Sequence, residues 1–191
     1  MANGASSALI TATLRAGFGA AIVNKESTVT SASGEGERLH LYQGSTQQFI
    51  ADATQARLAN QLSDRFFDEF RYRPAPSEVT SWRNSLGAMA SVLQLADLTD
   101  QGILVELKLP LSSKRLDVLI TGSNPATGDS AVIVELKQWT EVGRSNITDC
   151  VTVDFGGRPR DHLHPSRQVA QYQRYLRAVQ TLEADEFVRR G

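Results

Sequence analysis

The chain is nearly without the cysteines that staple small secreted domains: Cys150 is the only one in 191 residues. A lone cysteine closes no internal disulfide, so the composition fits a reducing, cytoplasmic compartment. No run of about 18 apolar residues occurs, which excludes a membrane-spanning helix from the sequence reading. The small-residue opening "MANGASSALITATLRAGFGAAIV" has no basic stretch before its apolar part and does not read as a signal peptide. Net charge is almost absent as well, with 20 Lys and Arg against 21 Asp and Glu. That balance excludes a bulk electrostatic case for nucleic-acid binding, so any basic surface has to be local. Finally, no G-x-x-x-x-G-K-[ST] stretch occurs, and a P-loop ATPase is therefore not encoded in these residues.

What is present is apolar material for one sizeable core, 41% of the residues, without the low hydrophobicity and high charge of a disordered chain. Residues 1–37 run from the small-residue opening into the polar, aperiodic "NKESTVTSASGEGE". They read as an amino-terminal appendage, with the compact domain over 38–191. Ser45 followed by Gln48 has capping-box spacing. Leu58, Leu62, Phe66 and Phe70 then recur every four residues and predict one helix from about 46 to 70. Pro74 and Pro76 end it, and Ser77 is placed to cap a second helix with Val79, Trp82, Leu86, Met89 and Leu93 on one stripe.

Beyond "DLTDQG" the period turns extended. "ILVELKLP" (103–110), "RLDVLITG" (115–122) and "AVIVELKQW" (131–139) predict three strands joined by turn-like links in an antiparallel meander. An irregular excursion follows, with a short strand near Val151–Phe155. Pro165 suits the first turn of a last helix. The order predicts an α+β fold, helices packed on a mostly antiparallel sheet.

Alternation along a strand points Glu135 and Lys137 to one face and Val132, Val134 and Leu136 to the other. Asp117, an acid inside "RLDVLI", needs a partner or a metal, because a lone buried carboxylate is costly. Pairing of the second and third strands brings Asp117 beside Glu135 and Lys137. Two converging carboxylates repel, and a divalent cation relieves that repulsion. Mg²⁺ (or Mn²⁺) suits one or two carboxylates and keeps waters for a phosphate substrate. A neighbouring lysine then orients the attacking water and offsets charge on the phosphate. The chemistry so read is phosphodiester hydrolysis.

These residues resemble the PD-(D/E)XK nuclease superfamily, whose signature is an acid on the second core strand followed by acid-x-Lys on the third. Gln168-x-x-x-Tyr172 resembles the QxxxY motif of its RecB-like branch, and residues four apart share a helix face. The stretches "LYQGSTQQFI", "SWRNSL", "LPLSSKRLDVLITG", "VIVELKQW" and "HPSRQ" are similar to the amino-terminal nuclease region of bacterial DNA/RNA helicase-like proteins. In those proteins a P-loop ATPase of the Schlafen helicase type follows. The resemblance implies a restriction-endonuclease-like core with Asp117, Glu135 and the Leu136 carbonyl as metal ligands. Lys137 becomes the catalytic lysine, supported by Gln168 and Tyr172. It further implies a DNA substrate, a helicase domain downstream or in trans, and a role in DNA repair or defence against foreign DNA. Leu116 stands where the signature has proline. The family core adds a strand after the last helix, whereas this chain stops at "ADEFVRRG"; the expectation is a domain lacking that strand.

Two further acids are candidate ligands. Glu106 lies on the first strand, and a hairpin symmetric about Ser112 and Ser113 sets it opposite Leu119, with Lys108 opposite Asp117. Glu78 opens the second helix, where acids are also favoured by the helix dipole. Cys150, His162 and His164 are too few for a zinc site without a C-x-x-C. Between Arg158 and Arg177 the only acid is Asp161, and Arg167, Gln171 and Arg174 share a helix edge suited to tracking phosphates. A solvated helix face explains the same arginines. The competing functional reading is a nuclease-like module that binds nucleic acid or protein without cutting.

Overall fold

The computed structural model describes residues 9–17, 28–29, 37–109, 112–126, 128–139 and 141–190. Ten strands and four helices follow one another among them. They are β1 (Leu9–Gly17), β2 (Thr28–Val29), β3 (Glu37–Arg38), β4 (Tyr42–Ser45), α1 (Thr46–Thr54), α2 (Leu58–Phe70) and α3 (Pro76–Leu95). Next come β5 (Gly102–Lys108), β6 (Arg115–Asn124), β7 (Gly128–Lys137), β8 (Val142–Arg144), β9 (Cys150–Asp154), β10 (Pro159–Leu163) and α4 (Pro165–Arg190). The fold is α+β. A five-stranded antiparallel sheet, ordered β1-β7-β6-β5-β4, carries α1–α3 on one face and α4 on the other.

The predicted meander is present as β5, β6 and β7. Its outer edges hold strands that the period did not announce. β4 pairs with β5, and β1 pairs antiparallel with β7, Thr11 opposite Glu135. Thus nine residues of the predicted appendage belong to the sheet, while most of residues 1–37 lie outside the described residues.

Several sequence expectations need correction. The single helix over 46–70 is two helices, because Ala56 takes a left-handed φ of 55° and turns the chain between Thr54 and Leu58. Ser45 does cap α1, accepting from the Gln48 amide, but the Gln48 side chain bonds Asp52 rather than closing the box. Helix α3 starts one residue ahead of Ser77: Pro76 occupies its first position, where a missing N–H costs nothing, and Ala75 is the cap. The β5–β6 hairpin also departs from the expected register, with Lys108 paired to Arg115 instead of Asp117.

Alternation divides the core. Toward α1–α3, Ile103, Val105, Val118 and Val134 meet Phe49, Leu62, Phe66, Trp82, Met89 and Leu93. Toward α4, Leu104, Leu107, Leu116, Leu119 and Ile133 meet Val169, Tyr172 and Leu176. Each such side chain contributes about 1.5–3 kcal/mol by leaving water, so a slip of one residue in any central strand would exchange the two faces. The excursion after β7 is a separate three-stranded ribbon, β10-β9-β8, where the sequence announced one short strand.

Candidate active site

The hairpin register sets the geometry. Lys108 pairs with Arg115, Leu107 with Leu116 and Val105 with Val118. Glu106 therefore lies opposite Asp117, two residues from the register expected for symmetry about Ser112 and Ser113. At this rung both strands break alternation. Val105 and Val118 face the α3 side and Leu107 and Leu116 the α4 side, yet Glu106 and Asp117 between them also turn toward α3. Glu106 manages this with a left-handed φ of 55°, a conformation that costs a non-glycine residue about 1–3 kcal/mol and tends to mark functional sites.

Glu106 and Asp117 line a cleft of about 120 Å³ together with Glu78, Ser81, Trp82, Ser85, Leu86 and Leu136. The Trp82 indole donates to Glu106 at 2.7 Å. Arg115 bridges Glu106 at 3.2 Å and Glu78 at 3.0 Å, with its guanidinium over the Phe66 and Phe70 rings. Asp117 accepts the Leu136 backbone N–H at 2.7 Å, which ties β6 to the third strand beside Glu135.

Glu135 faces α4 and is 1% exposed. One oxygen, Oε1, accepts from Lys137 Nζ and from Gln168 Nε2, each at 2.5 Å. The same Gln168 amide donates to the Tyr172 hydroxyl at 2.7 Å. The other oxygen, Oε2, is buried with no hydrogen-bond partner. Lys137 lies over the Trp139 ring, 5.9 Å from its centre. Gln138 secures the end of β7 by donating to the Ser81 carbonyl and Ser85 hydroxyl of α3, both at 2.8 Å.

Burial and mutual repulsion govern the charges. Burial, then the neighbouring Asp117 charge, lifts the Glu135 carboxyl to about 7 against the pull of Lys137. Burial likewise lifts Glu106 to about 7, opposed by Arg115 and Trp82 and reinforced by Asp117 and Glu78. Asp117 is raised by burial, opposed by the Leu136 amide, Lys137 and Arg115. The Tyr172 hydroxyl is also raised, first by burial.

Of the residues named from sequence, Glu135, Lys137, Gln168 and Tyr172 form one hydrogen-bonded cluster toward α4, while Asp117 stands with Glu106 in the cleft toward α3, close enough for its charge to act on Glu135 and to be acted on by Lys137. Glu78 reaches the cleft but is paired with Arg115. Arg167 and Arg174 are exposed on α4, and Arg167 is engaged by Asp149 at 2.7 Å. Sequence reading missed Trp82, Arg115 and Gln138 as partners of the site. For Arg115 a signal existed: it precedes Asp117 by two residues, and strand alternation puts such neighbours on one face. Trp82 carried no signal beyond its place on the apolar stripe.

The donor set suits a hard divalent cation, since every candidate ligand is an oxygen and Glu135 Oε2 is buried without a partner. Among the described residues, no three or more His, Cys, Asp or Glu side chains are gathered closely enough to hold a metal by themselves. No helix among them is long and apolar enough to cross a membrane. Compared with protein-family models, curated proteins and solved structures, the chain has no match in any of the three.

Proposed function

We propose that this chain is a divalent-metal-dependent nuclease domain with a restriction-endonuclease-like core, hydrolysing phosphodiester bonds of DNA. The observation that carries the reading is Glu135: a carboxylate withdrawn from water, with one oxygen shared by Lys137 and Gln168 and the other unpartnered. A fold does not retain a half-satisfied buried charge for stability, because each unmet polar group costs about 1–3 kcal/mol. Asp117 and Glu135, with the Leu136 carbonyl, would hold Mg²⁺ or Mn²⁺, and Glu106 lies next to them. The cation would supply positive charge for the scissile phosphate and lower the pKa of a bound water.

The chain's own residues supply the rest. Lys137 is 21% exposed at its side chain and meets both solvent and Glu135, so it orients the attacking water and neutralises charge gathering on phosphate oxygens. Gln168 and Tyr172 are positioning residues: their hydrogen-bonded pair fixes Glu135 against the sheet. Leu136 carries a second constraint, its N–H holding Asp117. The same resemblance that names the core places such a domain beside a P-loop helicase, in DNA repair or defence against foreign DNA.

Incubation of plasmid and of single-stranded DNA with the chain in Mg²⁺ or Mn²⁺ tests this. Cleavage that appears with metal, disappears with chelator and is lost in Asp117→Ala and Lys137→Ala supports the nuclease. Cleavage surviving both substitutions overturns it. A module that binds without cutting is the second reading, favoured by the lack of a ready three-ligand group among the described residues. Salt-dependent DNA binding with no cleavage in either metal selects it.

A further inference from the structure

We infer that the β8–β9–β10 ribbon is a single-strand nucleic-acid platform that feeds Lys137, an inference that rests on the nuclease reading for its destination but not for the binding itself. The ribbon registers Val142 against Val153 and Arg144 against Val151, and then Arg160 against Val153 and His162 against Val151. Paired residues share a face, so Arg144, Arg160 and His162 lie on one side. Asp161 pairs with Thr152, and Pro159 with Asp154, on the other. The arginine face also carries Val142, Val151 and the fully buried Val153, so its positive charge lies along the rims, while the acids lie on the opposite face.

The hairpin tip extends the basic face. Gly156 and Gly157 both have positive φ, 67° and 83°, the requirement of a tight two-residue turn. They leave Phe155 and Arg158 flanking the turn on the same face as Arg160. Phe155 is 50% exposed, so much of its ring is open to solvent. Its ring meets His162 at 5.4 Å between centres, and His162 meets Trp139 at 5.7 Å. Trp139 in turn lies under Lys137. Rings therefore step from the tip of the ribbon to the proposed catalytic lysine.

A half-exposed ring at the tip of a packed ring chain, beside exposed arginines, offers what an unpaired strand requires: a face on which a base can stack and positive charge for its phosphates. A duplex keeps its bases stacked internally and cannot use the rings. Arg144, Arg158 and Arg160 are exposed and have no ion-pair partner among the described residues, in contrast to Arg167 on α4, which Asp149 engages. The ribbon, rather than the α4 edge, is accordingly the better phosphate track.

The test is fluorescence anisotropy of the full chain with labelled oligo-dT and with a duplex of equal length, in Ca²⁺, at several salt concentrations. Phe155→Ala should weaken oligo-dT binding about tenfold through the lost stacking step. Arg144→Gln with Arg160→Gln should weaken it comparably and lower the salt slope by about 1.4, at ~0.7 per phosphate contact on a single strand. Asp161→Asn, on the acidic face, should bind as the unaltered chain does, and circular dichroism checks that each variant folds. Should Phe155→Ala unfold, the arginine pair decides alone. Duplex binding as tight as oligo-dT, or ribbon variants that bind normally, overturns the inference. Cleavage in Mn²⁺, run in parallel, judges the nuclease reading separately: a chain that binds through the ribbon but never cuts keeps the platform and loses the nuclease.

Discussion

Two buried carboxylates, Asp52 in α1 and Glu135 in β7, are 3% and 1% exposed, yet they sit in opposite electrostatic circumstances. Asp52 is surrounded by donors: Arg57 reaches Oδ1 with both Nε and a terminal nitrogen, and Tyr42 and Gln48 reach Oδ2. Burial alone would raise its carboxyl, but those hydrogen bonds outweigh burial and hold it below the usual range. Glu135 has donors on one oxygen only and is lifted to about 7. The two acids differ in how far the fold itself satisfies them. The first is completed by its own fold; the second is left short of positive charge, which an incoming ligand can provide.

The contrast can be broken most forcefully by activity. Asp117→Ala and Lys137→Ala should each lower cleavage by about 10³-fold, the scale of a lost transition-state contact. Asp52→Ala should cleave normally wherever it is folded. Stability should report the reverse ranking. Asp52→Ala leaves Arg57, Gln48 and Tyr42 without their shared acceptor and should cost about 3 kcal/mol in urea unfolding.

A pH series sharpens the comparison next. Glu135 and Glu106 have folded values near 7, above the ordinary 4.5. The folded state therefore holds protons that the unfolded state releases. Their contribution is intact below about 4.5 and is lost as pH rises through about 7, on the order of a few kcal/mol in metal-free protein. Asp52, held low, behaves oppositely: its contribution is present above its ordinary value and is lost on acidification. Added Mn²⁺ should restore thermal stability at pH 8 and have little effect at pH 5, and an unfolding midpoint equally metal-sensitive at both would contradict the scheme.

Smaller effects follow. Glu135→Gln should flatten the alkaline loss and raise metal-free stability by about 1 kcal/mol at pH 8, since a buried charge with one unmet oxygen is removed. Trp82→Phe should cost about 2 kcal/mol and raise Glu106 further, because the indole N–H bond to that acid and part of a buried ring are both lost. Titration of Glu106 by carboxyl NMR would show the second effect directly.

Much of the architecture was legible because hydrophobic period is local. Leu86, Met89 and Leu93 on one stripe announce a helix face, and Val132, Val134 and Leu136 alternating with Ile133, Glu135 and Lys137 announce a two-faced strand. The edge strands and the ribbon were less legible. β8 is three residues long and fully exposed, and β10 is exposed or half-buried throughout, so neither carries a burial pattern to read. The break at Ala56 was hidden for a related reason: the four-residue repeat of apolar side chains begins after it, and nothing in alanine announces a positive φ.

The sequence by itself determined that Glu135 and Lys137 share a face, that Gln168 and Tyr172 share another, and that Asp117 needs compensation. Those statements follow from the period of a strand or a helix and from the cost of burying charge. Only the tertiary structure decided that Glu106 stands opposite Asp117, since hairpin register depends on how the whole pair packs and not on the turn alone. It also decided which oxygen of Glu135 has no partner, because satisfaction of a buried charge depends on groups brought from Lys137 on the same strand and Gln168 on a distant helix.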